Sequence, residues 1–127
     1  MSKPCALTAA GLLLALASLQ GHAGSSEELL KLLASKLSEI RASTSNERVA
    51  LDPIVDVEAL HGVSRQAVLS AMGRPDNCVK DAECSDLVNW SYSFLHLPKG
   101  FRGGGPELML FFGKSSAVKE AKWHFSR

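Results

Sequence analysis

The sequence has little excess charge and lacks the short motifs of several common enzyme classes. Its 127 residues include 14 Lys and Arg against 13 Asp and Glu, a formal net charge of +1. Such a balance indicates neither a nucleic-acid partner nor strong attraction to an anionic membrane. The chain contains neither a G-x-S-x-G nucleophile elbow nor a C-x-x-C redox motif. We therefore predict a protein that is not an enzyme, with no catalytic residues, no cofactor and no metal.

The apolar run near the N-terminus is too short to span a membrane. Residues 7–19 are rich in leucine and alanine, whereas a transmembrane helix needs roughly 20 apolar residues. Lys3 precedes the run, and the small residues Gly21 and Ala23 follow at the positions that a signal peptidase reads. This pattern predicts a signal peptide over residues 1–23, cleaved after Ala23.

An amphipathic helix is predicted soon after the cleavage site, over residues 27–42. Its apolar positions recur every three or four residues, at Leu30, Leu33, Leu37 and Ile40. The linker 43–46 follows, so residues 24–48 form a unit of helix and linker. The stripe slightly favours a helix packed on its own domain, and it also fits a helix that binds a partner or dimerises. The pattern leaves both arrangements open.

A second, well-capped helix is predicted over residues 64–72. Ser64 is a good N-cap, Val68 and Met72 form an apolar stripe, and Gly73 is suited to end the helix. A short turn of helix over residues 57–61, capped by Asp56, is expected before it, which makes a helix–turn–helix pair. DNA binding is not indicated, because the second helix has one arginine and the chain carries an export sequence.

Three strands are predicted in the C-terminal half. Residues 87–97 alternate, with Val88, Trp90, Tyr92 and Phe94 expected on one buried face. Strands over residues 107–112 and 117–125 follow, and Met109 and Phe111 make the second face of the middle strand apolar too. We expect an α+β domain over residues 49–127, in which the helix pair packs on a small three-stranded antiparallel meander, preceded by the amphipathic helix.

Two cysteines lie just before the first of these strands. Cys78 and Cys84 are six residues apart, and in an exported domain this spacing predicts a disulfide that closes a surface loop. A zinc site would need two more ligands in register, and the histidines are scattered. A calcium site at the acidic residues Asp81, Glu83 and Asp86 is conceivable, but a surface loop is favoured.

The order G-[VM]-[ST]-x-x-x-V, then G-x-P, then W-x-Y on a strand resembles the SmpA/OmlA (BamE-like) family of bacterial envelope proteins. The matching residues are Gly62, Val63, Ser64, Val68, Gly73, Pro75, Trp90 and Tyr92, followed by Phe111, Phe112 and Gly113. The chain is also similar to the secreted β-lactamase inhibitor proteins, which share a module of helices and sheet. Both resemblances cover roughly residues 56–123.

The resemblance implies a protein-binding role in the cell envelope, in outer-membrane protein assembly or in the maintenance of envelope integrity. BamE-like proteins usually carry a lipobox cysteine after the apolar run, and here the next cysteine is Cys78. We therefore expect a periplasmic or secreted protein without a lipid, in contact with the membrane only indirectly. The alternative is a secreted enzyme inhibitor. Candidate binding residues are Phe101 and Arg102 in the glycine-rich loop, and Phe111. The partner and the oligomeric state are left open.

Overall fold

The computed structural model describes residues 25–79 and 84–126, which have an α+β fold, so the predicted class is confirmed. The predicted signal peptide, residues 1–23, lies outside the described residues. The helices are α1 (Ser25–Arg41) and α2 (Arg65–Met72), and 3₁₀ turns lie at Glu58–Leu60 and Cys84–Asp86. The strands are β1 (Val49–Ala50), β2 (Asn89–Ser93), β3 (Leu95–His96), β4 (Pro106–Phe111) and β5 (Glu120–Phe125). Neither described stretch contains a helix long and apolar enough to cross a membrane.

Three strands form an antiparallel sheet in the order β2-β4-β5. In its register Trp90 pairs with Leu110, and Leu108 lies between Tyr92 and Trp123. The last strand begins at Glu120 and not at residue 117, as expected from the sequence. The reason is that the preceding segment bonds to another part of the chain: the Val118 N–H donates to the Val63 carbonyl at 2.8 Å.

A second sheet of two short strands was not expected from the sequence. It pairs β1 with β3, and Val49 lies opposite His96. The predicted strand over residues 87–97 is therefore divided at Phe94. The Phe94 N–H still donates to Pro106 in the first sheet at 2.9 Å, but its carbonyl accepts from Leu51 at 3.2 Å. This change of hydrogen-bond partner transfers the chain from one sheet to the other.

The first helix packs on the domain and does not stand away from it. Its predicted apolar stripe is buried, at Leu30, Leu33, Leu37 and Ile40. The helix contacts α2, the 3₁₀ turn at Glu58–Leu60 and β3. Of the two arrangements that the sequence left open, the structure has the helix packed on its own domain.

Helix α2 begins and ends where its capping residues predict. The Ser64 side chain accepts from the Ala67 N–H at 3.0 Å, and Gly73 ends the helix with φ 78°. The short turn of helix expected before it, over residues 57–61, is a 3₁₀ turn at Glu58–Leu60. Asp56 accepts from the Glu58 N–H at 2.9 Å, and Leu60 is fully buried below the turn. The predicted pair over residues 57–61 and 64–72 therefore consists of a single 3₁₀ turn followed by the α-helix α2.

The side of the three-stranded sheet that the helices cover forms the core. Trp90, Tyr92, Leu108 and Leu110 are fully buried there. Val88, predicted for a buried face, is instead 59% exposed, and Phe125 is exposed to the same extent. Val88 precedes β2, and its carbonyl accepts from the N–H groups of both Phe112 and Gly113. The regular alternation of buried and exposed side chains is therefore interrupted at Val88. Phe125 is the last residue of the edge strand β5, beyond which the sheet ends.

Candidate protein-binding surface

The side of the three-stranded sheet away from the core presents every second residue of each strand, and we call it the outer face. It consists of Asn89, Ser91 and Ser93 on β2, Glu107, Met109 and Phe111 on β4, and Glu120, Lys122 and His124 on β5. The register places these residues in three rows across the sheet. Met109 lies between Ser91 and Lys122, and Phe111 lies between Asn89 and Glu120.

The centre of the outer face is apolar and its margin on β5 is charged. Met109 and Phe111 are each half-buried, so part of each apolar side chain is open to solvent. The Lys122 ammonium lies 5.1 Å from the centre of the Phe111 ring and 3.5 Å from Glu120. An apolar centre within a polar rim is the usual composition of a protein-binding patch. The predicted second apolar face of β4 is therefore present and accessible.

One margin of the outer face is closed by residues 75–77, which follow α2. The Asp76 N–H donates to the Ser91 carbonyl at 2.8 Å, and an Asp76 carboxylate oxygen accepts from the Ser93 N–H at 2.6 Å. The Asn77 side chain accepts from the Ser91 N–H and donates to the Asn89 carbonyl, both at 3.0 Å. These bonds occupy the outward backbone groups of β2, so that edge of the sheet is not open to another strand.

The structure places the predicted binding residues in two separate regions. Phe101 is 52% exposed and Arg102 is exposed, both in the loop between β3 and β4. The Phe101 N–H donates to the Pro98 carbonyl at 3.0 Å, which forms a tight turn. This loop enters β4 at Pro106, whereas Phe111 is at the opposite end of that strand, about 17 Å away at the rise of an extended chain. Phe101 and Arg102 therefore do not form one patch with Phe111.

Arg65 has a structural role that the sequence did not reveal. Its guanidinium donates to the Leu87 carbonyl at 2.7 Å and to the Ser115 carbonyl at 3.0 Å, and it lies 4.0 Å from the centre of the Phe112 ring. Burial lowers the pKa of Arg65, and the charge of Asp86 opposes this shift. The side chain thus ties the start of α2 to the segment before β2 and to the turn between β4 and β5.

The predicted disulfide between Cys78 and Cys84 is present, with a Cα–Cα distance of 5.5 Å and both cysteines buried. The Cys84 carbonyl accepts from the Trp90 indole at 2.7 Å, so the bridge and the buried tryptophan are linked. Asp81 and Glu83, named for a conceivable calcium site, lie outside the described residues. Within residues 25–79 and 84–126 there is no group of three or more His, Cys, Asp and Glu side chains suited to a metal.

The outer face and the Phe101 loop are thus two surfaces of the described chain with accessible aromatic residues, and Phe125 at the end of β5 is a further exposed aromatic. Comparison with protein-family models, curated proteins and solved structures gives no match. The resemblance to the SmpA/OmlA family therefore remains a prediction from the sequence.

Proposed function

We propose that this chain is a non-enzymatic protein-binding module of the bacterial cell envelope, of the SmpA/OmlA (BamE-like) type. The observation that carries the proposal is the outer face, where Met109 and Phe111 remain partly open to solvent on a sheet whose other side forms the core. Accessible apolar and aromatic side chains within a charged margin favour protein binding over small-molecule binding. A partner in the envelope would cover this face.

The residues that carry the family resemblance have structural roles compatible with the proposed fold type. Gly62, Gly73 and Gly113 have φ of 87°, 78° and 60°, a region that glycine adopts most readily. Trp90 and Tyr92 are fully buried beneath the helices. The motif therefore contains positions that the backbone and the core require, which supports the resemblance at the level of fold.

An envelope location is supported by two features of the chain. The predicted signal peptide over residues 1–23 would direct export, and the Cys78–Cys84 disulfide suits an oxidising compartment. With no cysteine after the apolar run until Cys78, the proposed mature protein carries no lipid and is periplasmic or secreted.

A second candidate function is inhibition of a secreted or periplasmic enzyme, as the similarity to β-lactamase inhibitor proteins implies. It is favoured by Phe101, which is 52% exposed at a turn in a loop, where an aromatic side chain could enter a cleft. This function would use the loop, whereas the envelope function would use the outer face.

Affinity capture from an envelope extract distinguishes these functions. We expect the exported protein to retain a discrete partner, and Met109→Glu to lose it because a carboxylate would be buried in the apolar centre of the interface. The matched control is Ser35→Glu on the exposed side of α1, which should retain the partner. If Phe101→Ala abolishes capture and Met109→Glu does not, the inhibitor function is favoured. Capture unchanged in both variants would contradict both proposals.

A further inference from the structure

The two edges of the three-stranded sheet differ in how their backbone groups are satisfied. Asp76 and Asn77 occupy the outward groups of β2, as described above. In an antiparallel pair, alternate residues of a strand direct their backbone N–H and C=O groups to the neighbouring strand, and the residues between them direct theirs away. At the other edge, the Ser126 N–H donates to the Gly105 carbonyl at 3.2 Å, so Ser126 and every second residue before it face β4. By that alternation Glu120, Lys122 and His124 direct their backbone groups to β4. The N–H and C=O groups of the intervening residues, Ala121, Trp123 and Phe125, point away from the sheet.

These outward groups have no hydrogen-bond partner among residues 25–79 and 84–126. The neighbouring segment makes backbone hydrogen bonds along this edge as far as Val118, whose carbonyl accepts from the Gly62 N–H at 2.8 Å. Beyond that point the neighbouring segment turns into the 3₁₀ turn Glu58–Leu60, where the His61 N–H donates to the Glu58 carbonyl instead. A groove follows, lined by Glu58, His61, Lys119, Glu120 and Ala121. The 3₁₀ turn packs beside β5 without bonding to it, so the outward backbone groups from Ala121 onwards are unpaired, and in this sense the edge of β5 is open.

We infer that the open edge of β5 is the docking site for an extended segment of a protein partner, which pairs with β5 as a fourth strand. Unpaired N–H and C=O groups at alternate positions of a strand are complementary to another extended backbone. The inference rests on the proposed function, protein binding, and specifies the form of the partner. Because the opposite edge is closed by the chain itself, the partner has one edge to use.

The side chains around the edge indicate the chemistry of the segment. On the core side, Phe125 is 59% exposed and Ile54 is 39% exposed, and the Val55 carbonyl next to Ile54 accepts from the Trp123 indole at 2.7 Å. On the outer side stand Glu120 and Lys122, both exposed. An incoming strand would direct alternate side chains to these two sides. The segment therefore has apolar residues at every second position, with polar or charged residues between them.

A partner segment complements this edge better than a second copy of the chain does. Antiparallel pairing of two β5 strands centred on Trp123 would place Lys122 opposite His124, and pairing centred on Lys122 would place two lysines opposite each other. A partner with a carboxylate opposite Lys122 would form a favourable cross-strand pair. The charges along β5 thus favour a different chain.

The test is selection of peptides from a displayed library of random 12-residue sequences on the exported protein, followed by binding of synthetic copies to edge variants. Ala121→Pro removes the outward N–H without removing a bond to β4, and Ala121→Val keeps that N–H. We expect selected peptides to alternate apolar and polar residues and to bind Ala121→Val normally. Ala121→Pro should lower the affinity of these peptides about tenfold or more, because one or two hydrogen bonds are lost and the proline ring blocks the approach of the peptide.

Amide hydrogen exchange on the wild-type protein gives a second measurement if Ala121→Pro does not fold. A selected peptide should slow exchange at Ala121, Trp123 and Phe125, whereas Glu120 and Lys122 are already protected by β4. A selection that enriches no peptide, peptides that bind Ala121→Pro normally, or unchanged exchange at the three outward amides would overturn the inference. Envelope capture that needs Met109 but survives Ala121→Pro would leave the proposed function standing and remove the edge as its site.

Discussion

Arg65 occupies the first position of α2, where the positive end of the helix dipole disfavours a cation. The position is stabilised from outside the helix, by two carbonyl acceptors and the face of Phe112. Local helix preferences therefore disfavour arginine at this position, and its contacts with distant parts of the chain explain why it is present. A basic residue just after an N-cap is itself a local inconsistency, and it is the one feature of the sequence that could have revealed this contact.

We expect Arg65→Lys to lower the free energy of unfolding by about 2–3 kcal/mol, although it keeps the charge. A lysine cannot donate in the same plane to the Leu87 and Ser115 carbonyls while lying flat on a ring. The matched control is Arg102→Lys in the exposed loop, which should change stability by less than about 0.5 kcal/mol. Urea unfolding measures both variants, and equal stabilities would contradict the role assigned to Arg65.

Tyr92 is a buried phenol whose hydroxyl donates to the Gly73 carbonyl at 2.8 Å. Burial raises the pKa of Tyr92 above its ordinary value, Arg41 opposes this and Asp76 adds to it. A tyrosine in the unfolded chain ionises near pH ~10. The folded state holds the phenol proton more tightly than the unfolded state does. The contribution of Tyr92 to the free energy of unfolding is therefore complete below that pH and decreases as the pH rises above it.

Comparison of the wild type with Tyr92→Phe isolates this effect. Near neutral pH the variant should be less stable by about 1 kcal/mol, since the Gly73 carbonyl loses its donor. As the pH rises to about 11, the wild type should lose up to about 1 kcal/mol more than the variant, which has no phenol to ionise. Urea unfolding at the two pH values tests this, and parallel losses in both proteins would show that Tyr92 is not the group responsible.

At the scale of the elements, the parts defined by local residues were predictable and those defined by distant contacts were not. Helix α2 follows from Ser64 and Gly73, which act within one turn of the chain. The pairing of β1 with β3 depends on a hydrogen bond between Phe94 and Leu51, and strands of two residues have no periodicity to detect. Whether α1 packs on the domain could not be predicted, because its apolar stripe is the same in either case.

The packing of α1 leads to a matched pair of substitutions within one turn of the helix. Leu33 is fully buried and Leu32 is 42% exposed. We expect Leu33→Ala to cost about 2–5 kcal/mol of stability, as for a core leucine, and Leu32→Ala to cost less than about 1 kcal/mol. Thermal or urea unfolding decides it. Similar small effects at both positions would mean that α1 is not part of the folded core.

The closure of the β2 edge by residues 75–77 leads to a prediction for Asn77. Asn77→Ala removes the acceptor for the Ser91 N–H and the donor to Asn89, and should cost about 1–3 kcal/mol. It should also promote self-association, because an unpaired edge is exposed. Asn46→Ala, at an exposed position before β1, is the control. Unfolding and sedimentation measurements that cannot distinguish the two variants would refute the capping role.

At the scale of the whole molecule, the sheet has one face in the core and one face available to a partner. The accessible face of β4 could be predicted, since apolar Met109 and Phe111 stand at positions that strand alternation directs away from the core. The separation of Phe111 from Phe101 could not, because it depends on where the loop leaves β3 and enters β4. The contrast between a closed edge at β2 and an open edge at β5 also depends on tertiary hydrogen bonds alone.

Photo-crosslinking in cells that export the protein tests most directly whether the outer face binds another protein. A benzophenone-bearing residue at position 109 would replace the half-buried Met109, and the same residue at position 35 would probe the exposed side of α1. We predict that light produces a discrete crosslinked species with an envelope protein from position 109 and none from position 35. A crosslink from position 35 alone, or none from either position, would contradict binding through the outer face.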